Sequence, residues 1–118
     1  MLKNLTAHVG LDLWRRALVG SVAGDGPDLT ARQMALMLTV YLTAPPHTVR
    51  GLAATLNVSK PAVTRAIDRL SELDFVRRKP DETDRRSILM QRTIKGSVFL
   101  RDFGDQIVRA GRLVEPEP

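Results

Sequence analysis

The sequence predicts a mainly α-helical fold that carries one small β-hairpin. Apolar residues recur at intervals of three and four along most of the chain, and breaker segments at 24–28 and 45–46 divide this pattern into separate helices. Two short extended runs flank a turn-rich loop at 80–84. Two of the helices are joined by a turn of about three residues, which is the pattern of a helix-turn-helix.

The first two helices are predicted over residues 4–23 and from Thr30 to about Leu42. The first has an apolar face formed by Leu11, Trp14, Leu18 and Val22. The second begins with Thr30 and Gln33 at capping-box spacing. Because its apolar residues cover most of its circumference, we expect this second helix to be central.

A helix-turn-helix is predicted over about 49–73. Thr48 can cap its first helix, which ends at about Leu56. Ser59 can cap its second helix, and Pro61 suits the first turn of that helix. The shared apolar interior is expected to contain Leu52, Leu56, Val58, Val63 and Ile67.

The hairpin is predicted over about 75–91, with strands near 75–79 and 87–91 and the loop at 80–84 between them. Such a hairpin after a helix-turn-helix forms a wing, so the fold is a winged helix-turn-helix. Thr93 then caps a last helix over about 94–112. Residues 1–118 are expected to form a single domain whose tail, 115–118, is disordered.

Composition and charge favour a polyanionic partner. The chain has a net charge of +5 and a pI of about 10.4. Residues 58–101 hold eleven Lys or Arg against six Asp or Glu, so their excess of five equals the charge of the whole chain. Nucleic acid is the polyanion that such a balance suggests. The alternative is a solvated surface that is merely basic.

Other classes of function have little support. The chain has no cysteine, which excludes disulfides and thiolate metal sites. His8 and His47 are far apart and show no metal-ligand spacing, so neither a metal nor another cofactor is expected. No catalytic motif is present, and we predict that the protein is not an enzyme. No membrane span or signal peptide is expected, which makes a bacterial-type cytoplasmic protein the default.

The outward half of the second helix of the helix-turn-helix is predicted to contact duplex DNA. Its side chains can reach phosphates and base edges in a major groove. The predicted contacts on this helix are Ser59, Lys60, Pro61, Thr64, Arg65 and Arg69. The alternatives are that Ser59 only caps, that Arg69 forms an intrahelical pair, and that the remaining side chains are a solvated face.

The wing supplies a second set of predicted contacts, beside or in the minor groove. These are Arg77, Arg78, Lys79, Arg85 and Arg86. Since side chains alternate along a strand, not all of residues 77–79 can touch DNA. Asp84 is predicted to shape the loop by pairing with Arg86; alternatively, the acidic residues of the loop simply face solvent.

Residues from about 29 to 96 resemble the MarR family of bacterial regulators. The resemblance is most specific in the stretch LNVSKPAVTR at 56–65 and in the wing, where DETDRR at 81–86 is followed by TIKG at 93–96. Arg92 departs from the family pattern, which usually has leucine there. The chain also ends soon after Leu113, whereas family members usually continue through a longer C-terminal helical arm.

This resemblance implies a homodimer that reads a roughly palindromic operator. The terminal helices would form its interface, with one helix-turn-helix in each of two major grooves about one helical turn apart. It also implies a small-molecule effector, often a phenolic anion. Residues that could line an effector pocket are Trp14, Met34, Met37 and Tyr41, although all four are also suited to a core.

The expected function is therefore a sequence-specific double-stranded DNA-binding transcriptional regulator, acting as a repressor by occupying a promoter. Two alternatives remain open at this point. The winged helix could be a protein-interaction module, or it could be a phage- or plasmid-type DNA-binding factor with no promoter role.

Overall fold

A computed structural model describes residues 5–114. In chain order, these residues form helices α1 (Ala7–Ala23), α2 (Ala31–Leu42), α3 (Val49–Leu56) and α4 (Lys60–Glu72), strands β1 (Val76–Pro80) and β2 (Ile88–Arg92), and helix α5 (Ile94–Leu113). The predicted fold class is confirmed: helices dominate, and the two strands form one antiparallel hairpin. Two compact units are present, residues 29–99 and the described parts of 1–28 with 100–118.

Side-chain caps set the beginnings of the helices. The capping box of α2 is present, with the Thr30 hydroxyl accepting from the Gln33 N–H at 3.1 Å and the Gln33 side-chain Oε1 accepting from the Thr30 N–H at 3.0 Å. Helix α1 begins at Ala7 rather than at residue 4, because Thr6 is extended and caps it by accepting from the Val9 N–H. Residue 4 and the predicted tail 115–118 lie outside the described residues.

Both helices of the helix-turn-helix end in left-handed residues. Asn57 follows α3 with φ 54°, and the Val58 N–H bonds to the Ala53 carbonyl at 3.1 Å. Asp74 follows α4 with φ 57°, and the Phe75 N–H bonds to the Leu70 carbonyl at 2.8 Å. Each is a Schellman ending, which satisfies helix carbonyls and reverses the chain within three residues.

Both strands of the wing lie one residue later than predicted. The Phe75 N–H is bonded to Leu70 and its carbonyl accepts from the Tyr41 hydroxyl at 2.6 Å, so pairing starts at Val76, opposite Arg92. The segment before α3 also pairs with the wing. The Met90 N–H donates to the His47 carbonyl at 2.8 Å, and Thr48 forms a β-bridge with Leu89.

Within residues 29–99, apolar side chains of α2, α3, α4 and the hairpin form one core. Its largest fully buried members are Leu36, Met37, Val40, Leu52, Val63, Ile67, Leu70 and Val76. Beside this core, the Tyr41 hydroxyl joins three elements, since it also accepts from the Thr93 N–H at 2.9 Å. Gly96 passes against this hydroxyl, and a β-carbon there would collide with it and with the Phe75 carbonyl oxygen.

Arg92, which stands where the resemblance has leucine, is bonded to the end of α2. Its guanidinium donates to the carbonyls of Val40 at 2.9 Å and of Thr43 at 3.0 Å. It also lies 5.9 Å from the centre of the Tyr41 ring. A cation at the C-terminus of a helix satisfies its unpaired carbonyls and opposes its dipole. The arginine therefore replaces an apolar contact with a C-terminal cap.

In the other unit, α1 and the later part of α5 bury a second, smaller set of residues: Leu13, Ala17, Phe103 and Ala110. Trp14 packs edge-on against Phe103, with ring centroids 6.0 Å apart. The face of α1 predicted to be apolar remains largely exposed: Leu11 is 72% exposed and Val22 64%. The buried face of α1 is instead the neighbouring one, which contains Leu13 and Ala17.

Candidate nucleic-acid interface

Helix α4 divides its residues cleanly between packing and exposure. Buried positions are Ala62, Val63, Ala66, Ile67 and Leu70. The predicted contacts Lys60, Pro61, Thr64 and Arg65 are all exposed on the other side. Ser59 is also exposed, and its hydroxyl accepts from the Ala62 N–H at 3.2 Å as the predicted cap. The outward half of α4 thus presents a hydroxyl and two cations to solvent.

Four of the predicted arginines, Arg69, Arg77, Arg78 and Arg86, form ion pairs within residues 29–99. Arg69 pairs with Glu72 at 3.6 Å, and Arg77 with Asp74 at 3.9 Å. Such exposed pairs are weak, and both arginines can exchange them for a phosphate.

Arg78 differs because it ties the wing to α4. Its guanidinium forms an ion pair with Asp68 and lies 3.5 Å from the Ser71 hydroxyl, both on α4. This contact joins residues ten apart in sequence and links β1 to α4. Arg78 is thereby placed to orient the wing.

The acidic residues of the wing loop organise its backbone. The Asp81 carboxylate accepts from the Thr83 N–H at 2.9 Å and from the Thr83 hydroxyl at 2.7 Å. These two hydrogen bonds, the hydroxyl first, lower the pKa of Asp81 below its ordinary value. The Asp84 carboxylate accepts from the Arg86 N–H at 3.0 Å, while the Arg86 side chain lies 3.8 Å away. Asp84 therefore shapes the loop mainly through the backbone.

The remaining predicted wing cations, Lys79, Arg85 and Arg86, are exposed. The Arg86 side chain is 96% exposed. In the part of the chain that the structure describes, neither Lys79 nor Arg85 forms an ion pair. Together, Lys79, Arg85 and Arg86 give the wing a positively charged surface.

A cleft of about 510 Å³ separates the wing from the beginnings of α3 and α4. It is lined by Thr48, Val49, Arg50, Lys60, Asp84, Arg86, Ser87 and Ile88. The cleft brings together two predicted contacts, Lys60 and Arg86, and adds Arg50, which is not among the residues predicted from sequence. A signal for Arg50 does exist in the sequence, since it is a cation in the first turn of a helix, where the dipole disfavours it.

The four residues proposed for an effector pocket are divided between the two units. Trp14 lies on α1, whereas Met34, Met37 and Tyr41 lie on α2. Met37 is fully buried, and the Tyr41 hydroxyl is bonded to the backbone of residues 75 and 93. These observations favour a structural role for Met37 and Tyr41, and the effector pocket stays a prediction.

Residues 5–114 lack two further features, a metal-binding cluster and a membrane-spanning helix. No three acidic or histidine side chains are grouped closely enough to hold a metal ion. None of the described helices has the length and apolar character needed to cross a bilayer.

Comparison with solved structures places the whole arrangement among known winged helices. A regulator of the MarR family from Rhodococcus sp. RHA1 matches with a TM-score of 0.66 and 27% identity, over 92% of this chain and 74% of that one. A MarR mutant from E. coli, complexed with operator DNA, matches with a TM-score of 0.68 and 24% identity over 94% and 76%. A mutant of MepR from S. aureus gives 0.73 and 17% over 88% and 74%.

Sequence comparison agrees with the structural one. No curated protein matches the sequence significantly. The model of the MarR family, however, matches residues 29–88, which is half of the chain and includes the helix-turn-helix and most of the wing. The chain therefore belongs to the MarR family of winged-helix, DNA-binding transcription regulators.

Proposed function

We propose that this protein is a sequence-specific regulator that binds a roughly palindromic operator as a homodimer and represses transcription by occupying a promoter. The observation that carries the proposal is the exposed half of α4, where Lys60, Thr64 and Arg65 project opposite a fully buried face. An α-helix with this arrangement fits a major groove, and arginine is suited to bidentate recognition of guanine.

The wing supports the same proposal by supplying charge. Lys79, Arg85 and Arg86 form an exposed basic set on the wing, which follows α4, the helix proposed to read the bases. Phosphate contacts from such residues give affinity and register, whereas base contacts give sequence preference. A helix that can read bases and a wing that can bind phosphates are the two components that operator binding requires.

The homodimer is supported by the unit formed by α1 and the later part of α5. Apolar side chains on these two helices remain exposed: Leu11, Trp14, Leu18, Val19, Val22, Val108 and Leu113. Exposed apolar surface of this extent marks an interaction site rather than an ordinary solvated face. A second copy of the same unit would cover it, with the same patch on both subunits.

Selection from a random duplex pool at about 0.15 M salt, a physiological ionic strength, tests the proposal. Enrichment of an inverted repeat with half-sites about one helical turn apart is the expected result. Retention without enrichment would instead indicate a sequence-blind DNA-binding factor. The absence of retention even at low salt would favour a protein-interaction module.

Arg65 provides a sharper test of base reading. Arg65→Ala should weaken operator binding by roughly 1–3 kcal/mol and relax the preference at one base pair, because a bidentate guanine contact is lost. The preference is measured by repeating the selection with the variant. If binding weakens equally on all sequences, Arg65 contacts phosphate instead of a base.

A further inference from the structure

The cleft between the wing and the first turns of α3 and α4 gathers three cations around one concave surface. Arg50 comes from α3, Lys60 from α4 and Arg86 from the wing loop. Asp84 is the acidic residue in the lining, and its carboxylate is already bonded to the Arg86 N–H. The local balance is therefore strongly positive.

The walls of this cleft are held in place by main-chain contacts. The His47 carbonyl accepts from the Met90 N–H at 2.8 Å, and Thr48 bridges Leu89. These contacts fix the beginning of α3 against β2, immediately before Arg50. The Thr48 hydroxyl in turn accepts from the Gly51 N–H at 3.0 Å, which sets the first turn of α3. The three cations therefore line a cleft whose α3 side is fixed to β2 by backbone contacts.

The positions of Arg50 and Lys60 are unfavourable for the isolated fold. Each lies in the first turn of its helix, where the positive end of the helix dipole repels a cation. Neither side chain forms an ion pair with any part of residues 5–114. An external anion in the cleft would relieve both repulsions, and helix N-termini favour phosphate in particular.

We infer that the cleft is a binding site, here called the seat, for one phosphate group. On duplex DNA this group is a backbone phosphate adjoining the groove entered by α4. This inference rests on the proposed function and adds to it a contact, Arg50, that binds without reading sequence. A seat on the α3 side of the reading helix fixes the depth and register of α4 in the groove.

Salt dependence of duplex binding tests the seat, with Arg50→Gln compared to Arg32→Gln. Arg32 is the matched control because it too is exposed and occupies the second position of a capped helix, α2, but does not line the cleft. Arg50→Gln should reduce the slope of log affinity against log salt by about one and weaken binding about tenfold, equally on all sequences. Arg32→Gln should change neither, and Arg50→Lys should largely restore the slope.

A second measurement separates failure of the seat from failure of the proposed function. Inorganic phosphate is titrated against the full chain at constant ionic strength while the backbone amides are followed by NMR. Shifts confined to the cleft residues 48–51, 60 and 84–88, and lost in Arg50→Gln, would show that the seat takes free phosphate even if no duplex binds. An unchanged salt slope in Arg50→Gln, with operator selection intact, would overturn the seat alone. If the chain shows no duplex binding and no phosphate shifts, both the seat and the proposed function are overturned.

Discussion

At Gly96, helix α5 passes against the Tyr41 hydroxyl and the Phe75 carbonyl oxygen. A β-carbon would overlap both atoms, and both are fixed by a hydrogen bond between them. The glycine of the wing signature thus allows the last helix to start close to the core.

Gly96→Ala should lower the free energy of unfolding by about 1–3 kcal/mol, because overpacking forces fixed atoms apart. Gly104→Ala, in the same helix, is the control: its β-carbon would meet nothing within 4 Å, and alanine should stabilise the helix by up to about 1 kcal/mol. Denaturant titration of both variants gives the two values. Equal effects would show that the close approach at Gly96 has no energetic weight.

Asp81 is an acidic residue in a basic wing, and its role is to stabilise the wing loop. Its carboxylate bonds to the hydroxyl and N–H of Thr83, so its charge is used to close the loop. An acidic loop inside a basic wing is then a structural requirement, compatible with phosphate contacts from its neighbours.

A pH titration should show directly that the ionised Asp81 carboxylate stabilises the loop. Because the pKa of Asp81 is lowered in the folded chain, its contribution to loop stability is complete at neutral pH and is lost as pH falls from the ordinary carboxyl range through the lowered pKa. Thr83→Val removes the hydroxyl donor, the larger cause, and should move the pKa back toward its ordinary value. Carboxyl ¹³C NMR measures both titrations. A pKa unaffected by Thr83→Val would contradict the assigned cause.

Among the elements, the wing depends on contacts that cross from one element to another. Arg78 on β1 binds Asp68 and approaches Ser71 on α4, while Arg92 at the end of β2 caps α2. The first contact orients the start of β1, and the second anchors the end of β2. The loop between the strands is held by its own carboxylates.

Asp68→Asn and Arg78→Gln distinguish an orienting role for Arg78 from a direct DNA contact. If Arg78 acts through Asp68, both variants weaken duplex binding by up to about fivefold, since an exposed pair contributes roughly 0.2–1 kcal/mol, and their effects are not additive. The salt slope should remain unchanged in Asp68→Asn.

A direct phosphate contact by Arg78 gives the opposite pattern. Arg78→Gln would then reduce the salt slope by about one, and Asp68→Asn would leave binding unchanged or strengthen it by releasing the arginine. Binding measured at several salt concentrations separates the two patterns.

Local sequence patterns predicted the elements because caps and turns depend on residues a few positions apart. The Thr30–Gln33 box and the Ser59 cap are both present as predicted. The pairing of Arg92 with the Val40 carbonyl joins residues 52 apart, and nothing local indicates it. Arg50 was missed for a similar reason, since its position beside Arg86 depends on how the wing folds back toward α3. Strand β1 starts one residue later than predicted because the N–H and carbonyl of Phe75 are already bonded to Leu70 and Tyr41.

For the whole molecule, the exposed apolar face of α1 carries the proposal of a homodimer. Leu11 and Leu18 lie seven positions apart on this face, and both are exposed. Their side chains can be replaced by charged ones without disturbing the buried face that contains Leu13 and Ala17. This separates an effect on association from an effect on folding.

The double variant Leu11→Lys/Leu18→Lys should remain folded and sediment as a monomer of 13.1 kDa, whereas the unmodified chain should sediment at twice this mass. Like charges placed opposite each other across a two-fold axis repel, and the apolar area is lost. Leu42→Lys, at a position 75% exposed in the other unit, is the control and should leave association unchanged. A wild-type monomer at tens of micromolar would rule out the dimer.

The division of α4 into a buried and an exposed face also bears on how this protein can diverge. Positions 62, 63, 66, 67 and 70 are buried in the core, whereas 60, 61, 64 and 65 are exposed. Surface substitutions of this kind usually alter stability by less than about 0.5 kcal/mol. If α4 reads bases as proposed, substitutions at these four positions can change the preferred DNA sequence while the scaffold stays fixed, and a transplanted set of the four side chains should carry its preference with it.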